Sequence, residues 1–198
     1  MITVIDYGGG NLRSVQNALE RLDLELGVDY DVSSNPEVIV CASKIIFPGQ
    51  GAAGQAMQAL RARGLIEVIR GLSVPYLGIC IGMQVLFDSS EEDETECLGI
   101  VSGGLERFRS ETLKIPQMGW NTLKFAGNGP LFKAIPDESC FYFVHSYVAG
   151  LSEDTVGVSM YGQPFTAMVQ KDNFFGTQFH PEKSGEIGLQ LIRNFLEL

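Results

Sequence analysis

Apolar residues in the first half of the chain alternate between two textures, short β-rich runs and longer stretches with helical spacing. Ile2-Thr3-Val4-Ile5 stops at Gly8-Gly9-Gly10, after which Asn11 is placed to cap a helix carrying Leu12, Val15, Ala18, Leu19 and Leu22 on one stripe. The unit recurs. Lys44 to Phe47 runs into Pro48-Gly49-Gln50-Gly51 and a helix from Ala52 to Arg63, and Val74 to Ile79 runs into Cys80 and a short helix through Phe87. Strands alternating with helices predict a largely parallel sheet covered on both faces.

From about Gly99 onward the pattern becomes strand-like. Cys140 to Tyr147, Val156 to Met160, Thr166 to Gln170 and Phe174 to Gln178 read as strands, the last two joined by Lys171-Asp172-Asn173 as a hairpin turn. The C-terminal half should therefore add antiparallel pairs. Ser184 is placed to cap a closing helix from Gly185 to Leu198, on which Ile187, Leu191 and Phe195 stack at four-residue steps. The acidic stretch from Ser89 to Glu96 reads as a solvated loop. With no repeat or low-complexity tract, residues 1–198 are expected to form a single domain.

Composition narrows the function. The 198 residues are 45% hydrophobic and carry a formal charge of −10, with no basic run to override it, so nucleic acid is not an expected partner. No apolar run approaches the roughly 18 residues that span a bilayer, and the first residues lack a basic flank, so a cytoplasmic protein is expected. The cysteines (Cys41, Cys80, Cys97, Cys140) form no C-x-x-C, and the histidines are His145 and His180. Neither a metal nor a cofactor is expected, and Cys41, Cys97 and Cys140 read as small semi-buried hydrophobes.

Gly49-Gln50-Gly51-Ala52-Ala53-Gly54 matches the dinucleotide-binding G-x-G-x-x-G literally, but the strand that follows ends in Cys80 where that fold needs an acid for the ribose. A different chemistry fits better. Gly78-Ile79-Cys80-Ile81-Gly82 is the thiol counterpart of the G-x-S-x-G nucleophile elbow, whose glycines relieve crowding around a sharp strand-to-helix turn. The helix start also favours a thiolate. For the base, Phe179-His180-Pro181-Glu182 follows a strand, and in an extended segment Glu182 would lie on the same side as His180 and fix its tautomer. His145 has no nearby acid and is expected to line the pocket or sit satisfied in the core. An oxyanion formed at such a site would need two N–H donors, for which the Ile81 amide and the Gly49-Gln50-Gly51 loop are the candidates.

The blocks Pro48–Gly51, Gly78–Gln84, Pro116–Asn121, Phe143–Tyr147 and Gly176–Ser184 together resemble class I glutamine amidotransferases. Within that family, the opening Ile5-Asp6-Tyr7-Gly8 and the third and fourth blocks most resemble the glutaminase subunits of imidazole glycerol phosphate synthases. The resemblance implies an α/β, flavodoxin-like fold: a largely parallel central sheet with helices on both faces and added antiparallel strands in the C-terminal half. It also implies hydrolysis of L-glutamine through a thioester, with ammonia passed to a (β/α)8-barrel cyclase subunit in a heterodimer. Cys80, His180 and Glu182 would be the triad. Gly51, Gln84 and the Ser146-Tyr147 backbone would surround glutamine, and Glu92, rather than Glu91, would meet its ammonium. Gly10, Asn11, Met118, Trp120 and Lys183 would face the barrel. Gln50 and Ile81 depart from the apolar residue and the Leu more usual at those positions. The alternatives are a glutaminase for another acceptor, a free-standing γ-glutamyl hydrolase, and a non-catalytic subunit, which would have lost part of the triad.

Overall fold

The computed structural model describes residues 1–198, apart from the side chains of Leu24 and Glu25. The expected alternation is present, with β2, α2 and α4 as further elements that the sequence reading did not include: β1 (Ile2–Ile5), α1 (Leu12–Leu26), β2 (Tyr30–Ser33), α2 (Pro36–Val40), β3 (Lys44–Phe47), α3 (Ala53–Ala62), α4 (Leu65–Arg70), β4 (Tyr76–Ile79) and α5 (Ile81–Gln84). The next strands are β5 (Ser89–Ser90), β6 (Thr95–Glu96), β7 (Gly104–Arg107) and β8 (Gln117–Phe125). The chain ends with β9 (Ser139–His145), β10 (Tyr147–Ala149), β11 (Thr155–Tyr161), β12 (Gln163–Lys171), β13 (Phe174–Thr177) and α6 (Gly185–Leu196).

β2, β1, β3, β4 and β13 lie side by side in that order and all pair in parallel. β1, β3, β4 and β13 are buried and largely apolar because helices cover both faces, whereas β2 at the edge, Tyr30-Asp31-Val32-Ser33, is half polar and half-buried. Val15, Leu19 and Leu22 of α1 and Leu191 and Phe195 of α6 pack on one face. Ile39 of α2, Met57 and Leu60 of α3, and Leu65 and Ile69 of α4 pack on the other. β12 joins β13 antiparallel through the expected turn, where Asp172 takes a positive φ of 51°. β11 then connects β12 to β8, and β8 pairs with β9, which extends the sheet into the antiparallel half.

Several local expectations need correction. Asn11 precedes α1 but makes no side-chain cap bond, since its backbone is not in the extended conformation that aims a cap at the helix. Ser184 likewise does not cap α6; its hydroxyl donates to the His180 carbonyl at 2.6 Å and accepts from Tyr142 N–H at 3.0 Å. The helix after Cys80 is a single turn, and β4 begins at Tyr76 rather than Val74. The strand expected over Cys140–Tyr147 breaks at Ser146 into β9 and β10. The acidic stretch is not a loose loop: β5 and β6 pair antiparallel and bury Ser90 and Thr95. Cys97 is buried, whereas Cys41 and Cys140 are exposed. Among the described residues, no helix is long and apolar enough to cross a membrane.

Candidate active site

β4 delivers Cys80 to the carboxyl edge of the parallel strands, and α5 starts at the next residue. Cys80 takes φ 53° and ψ −104°, a conformation that L-residues rarely adopt outside functional turns. Its N–H donates to the Thr177 carbonyl of β13 at 2.7 Å, and its carbonyl accepts from Met83 and Gln84. The elbow glycines are both required, for different reasons. A Cβ on Gly78 would strike the Gly82 backbone, as the motif predicts, while a Cβ on Gly82 would strike the Phe47 carbonyl of β3.

His180 and Glu182 reach the same edge from the segment after β13. Nδ1 of His180 lies 2.8 Å from Oε1 of Glu182, and both side chains are buried. The pairing is made by a single 3-10 turn over Pro181–Lys183 rather than by an extended segment, because Pro181 fixes the first position of that turn. The imidazole Nε2 and Glu182 Oε2 are buried and make no hydrogen bond of regular geometry. Burial opposes charge on His180, yet the neighbouring Cys80 sulfur and the Glu182 carboxylate outweigh it and hold the ring's pKa up at about 10.

A cavity of about 220 Å³ opens beside the sulfur, lined by Gly51, Cys80, Ile81, Gln84, Glu92, Pro116, Val144, His145, Ser146 and Tyr147. Larger surface hollows around Phe108, Arg109 and Tyr161 hold neither Cys80 nor its neighbours. Of the anticipated substrate residues, Gly51, Ile81, Gln84, Glu92, Ser146 and Tyr147 meet at this cavity. Gly49 supports it from behind, so close to α5 that a Cβ would lie 2.8 Å from Ile81 N. The Gln50 side chain is exposed, and its carbonyl accepts from the Tyr7 hydroxyl at 3.1 Å. Burial pushes the Tyr7 hydroxyl up to about 12, its bond to Gln50 lowering it only in part.

Two adjacent acids are separated by their partners. Glu91 accepts the Arg107 N–H at 2.8 Å and faces Arg109 at 3.0 Å, which together hold its carboxyl below the usual range. Glu92 points to the cavity, and one of its oxygens accepts the Ala53 N–H at 2.7 Å. That bond occupies the start of α3, where a dinucleotide phosphate would have to sit. His145 lines the cavity with both ring nitrogens engaged, Nδ1 at 3.0 Å from the Tyr147 carbonyl and Nε2 at 3.1 Å from the Gln117 side chain. Since the carbonyl can only accept, Nδ1 carries the proton, and the Gln117 amide is best turned to donate to a neutral Nε2. Burial lowers this histidine to about 4.

Sequence reading missed Tyr7, Gln117 and Gln178, because a tyrosine or amide gains its role here only from contacts distant in sequence. Gln178 Nε2 lies 3.7 Å from the Cys80 sulfur. Among the described residues, no group of three His, Cys, Asp or Glu is disposed to hold a metal ion.

The anticipated partner-facing residues lie on three segments: β8, the turn after His180 and the turn before α1. Met118 and Trp120 project from β8 and are 67% and 60% exposed, with the Trp120 ring edge-on to Tyr142. Lys183 follows Glu182 on a turn whose His180 N–H donates to the Tyr142 carbonyl. Gly10 and Asn11 form the half-buried turn before α1, and Gly10 packs against Tyr7 and the Pro48 carbonyl.

A family model described as glutamine amidotransferase class-I matches residues 3–198. The imidazole glycerol phosphate synthase subunit HisH of Dehalococcoides mccartyi is 47% identical over 204 residues, covering 100% of this chain and 97% of that one. The subunit of the same name in Methanocaldococcus jannaschii is also 47% identical, with both chains fully covered. The crystal structure of a glutamine amidotransferase superposes with a TM-score of 0.73 at 21% identity, covering 100% of this chain and 98% of that one. Its likeness supports the flavodoxin-like architecture. From the family match and the full-length relatives, the chain belongs to the class I glutamine amidotransferases, in the branch of imidazole glycerol phosphate synthase glutaminase subunits.

Proposed function

We propose that this chain hydrolyses L-glutamine at Cys80 and delivers the ammonia to a (β/α)8-barrel cyclase subunit, which uses it to make imidazole glycerol phosphate for histidine biosynthesis. The observation that carries the reading is the strained Cys80 turn, backed by the His180–Glu182 pair and opening on a glutamine-sized cavity. The sulfur attacks the side-chain amide carbon. His180, charged at neutral pH, gives its proton to the departing nitrogen, and ammonia leaves behind a thioester. The neutral imidazole then takes a proton from water, which cleaves the thioester to glutamate and restores the thiolate and imidazolium.

Glu182 orients the ring and balances its charge. The Ile81 and Gly51 amides are the oxyanion donors, Glu92 meets the substrate ammonium, and Gln84 and the Ser146-Tyr147 backbone hold the rest of glutamine. Met118, Trp120, Lys183, Gly10 and Asn11 form the barrel-facing surface, and the free thiols suit a reducing cytoplasm. Glutamine hydrolysis measured alone and after adding a barrel cyclase with its nucleotide ligand tests this. A rise on addition is expected, while a rate indifferent to the barrel would favour a free-standing hydrolase.

A further inference from the structure

Gln178 is 0% exposed and sits just beyond β13, where backbone bonds on both sides confine it. Its own N–H donates to the Ala167 carbonyl at 2.8 Å, and the preceding Thr177 carbonyl accepts the Cys80 N–H at 2.7 Å. A buried side-chain amide is costly unless its donors and acceptor are used. Its oxygen accepts Nε2 of Gln84 at 3.0 Å, and its nitrogen faces the Cys80 sulfur at 3.7 Å. Gln84 is itself 2% exposed and stands four residues after Cys80, at the end of α5.

The polarity of this relay has a consequence. In the arrangement the structure assigns, Gln84 donates to the Gln178 oxygen and the Gln178 NH2 faces the sulfur; a thiolate can only accept, whereas a thiol gains little from such a donor. We propose that Gln178 is a positioning residue for the nucleophile: its amide, oriented by Gln84, holds the Cys80 sulfur as a thiolate aimed into the cavity. This rests on the reading of Cys80 as the nucleophile. His180, backed by Glu182, acts on the sulfur from the charged side of the site. Gln178 adds a neutral donor that cannot take the proton away. Tyr7, Tyr76, Glu92, His145 and Tyr147 are the other titratable groups around the elbow and its cavity.

The test is the rate of iodoacetamide alkylation at Cys80 across pH, located by peptide mapping, in the full-length wild type, Gln178→Met and Gln84→Met. Gln178→Met keeps the volume and removes the donor. It should move the midpoint of the Cys80 alkylation profile up by about one unit and slow alkylation by about tenfold at pH values below the wild-type midpoint. Gln84→Met leaves Gln178 in place but unoriented and should act in the same direction by about threefold. If Gln178→Met fails to fold, the Gln84→Met profile decides. Alkylation at wild-type rate and midpoint in the folded variants would overturn the inference and make the amide a structural filler. Wild-type labelling spread over all four cysteines would instead overturn the nucleophile assignment itself, and this inference with it.

Discussion

Nδ1 of His180 and Oε1 of Glu182 stand 2.8 Å apart with both side chains 1% exposed, so the acid balances the imidazolium in a place water does not reach. Glu182→Gln keeps an acceptor for the ring but removes the charge. Its turnover should fall by about 10- to 100-fold, against about 1,000-fold or more for His180→Asn, which removes the acid and base itself. The high-pH limb of the Glu182→Gln profile should also move down, because one of the groups holding His180 at about 10 is lost. Steady-state glutaminase rates across pH check both points.

The two histidines make opposite demands on the folded state. His180 is raised from 6.5 to about 10, so its contribution to stability is fully present below about pH 6.5 and is lost as pH rises through about 10. His145 is lowered from 6.5 to about 4, so the fold prefers it neutral, and its contribution is present above about pH 6.5 and lost as pH falls toward 4. Thermal midpoints at pH 7 and pH 4.5 should therefore show a smaller acid-induced drop in His145→Gln than in wild type.

Glu91 and Glu92 should separate kinetically. Glu92→Gln retains an acceptor for the Ala53 N–H but loses the charge facing the cavity, and should raise the KM for glutamine by about tenfold with a smaller change in kcat. Glu91→Gln weakens an exposed pair with Arg109 and should leave KM within about twofold.

Trp120 is 60% exposed and edge-on to Tyr142, an arrangement suited to an interface anchor. Trp120→Ala should weaken barrel binding by about 2 kcal/mol, roughly 30-fold, with little loss of fold stability. Isothermal titration with the barrel subunit and a melting curve of the isolated variant measure the two effects.

The elbow is legible because part of its constraint is local: Gly78 must clear the Gly82 backbone around Cys80, which takes a positive φ, whereas the need for Gly82 itself comes from the Phe47 carbonyl of β3. The pairing of His180 with Glu182 is legible too, but the backbone between them is not, since extended and 3-10 segments both allow the contact and Pro181 decides between them. β1, β3 and β4 are legible as apolar runs between helices, whereas the half-polar edge strand β2 and the parallel pairing of β13 with β4 are not. Nor is the branching of β11 to both β12 and β8, because strand partners far apart in sequence are chosen by tertiary packing. For the same reason Gln178 carried no signal. Its partners, Cys80 and Gln84, are 98 and 94 residues away.

If Cys80 releases ammonia for chemistry performed elsewhere, Cys80→Ala in complex with the barrel cyclase separates the two steps. The substitution removes one small side chain at a turn already built from small residues, leaving the surface around Trp120 and Lys183 unchanged. Product formation by the complex should vanish with glutamine and persist with ammonium salt at high concentration and alkaline pH, where neutral ammonia is abundant. Robust glutamine-dependent product from Cys80→Ala would contradict the mechanism.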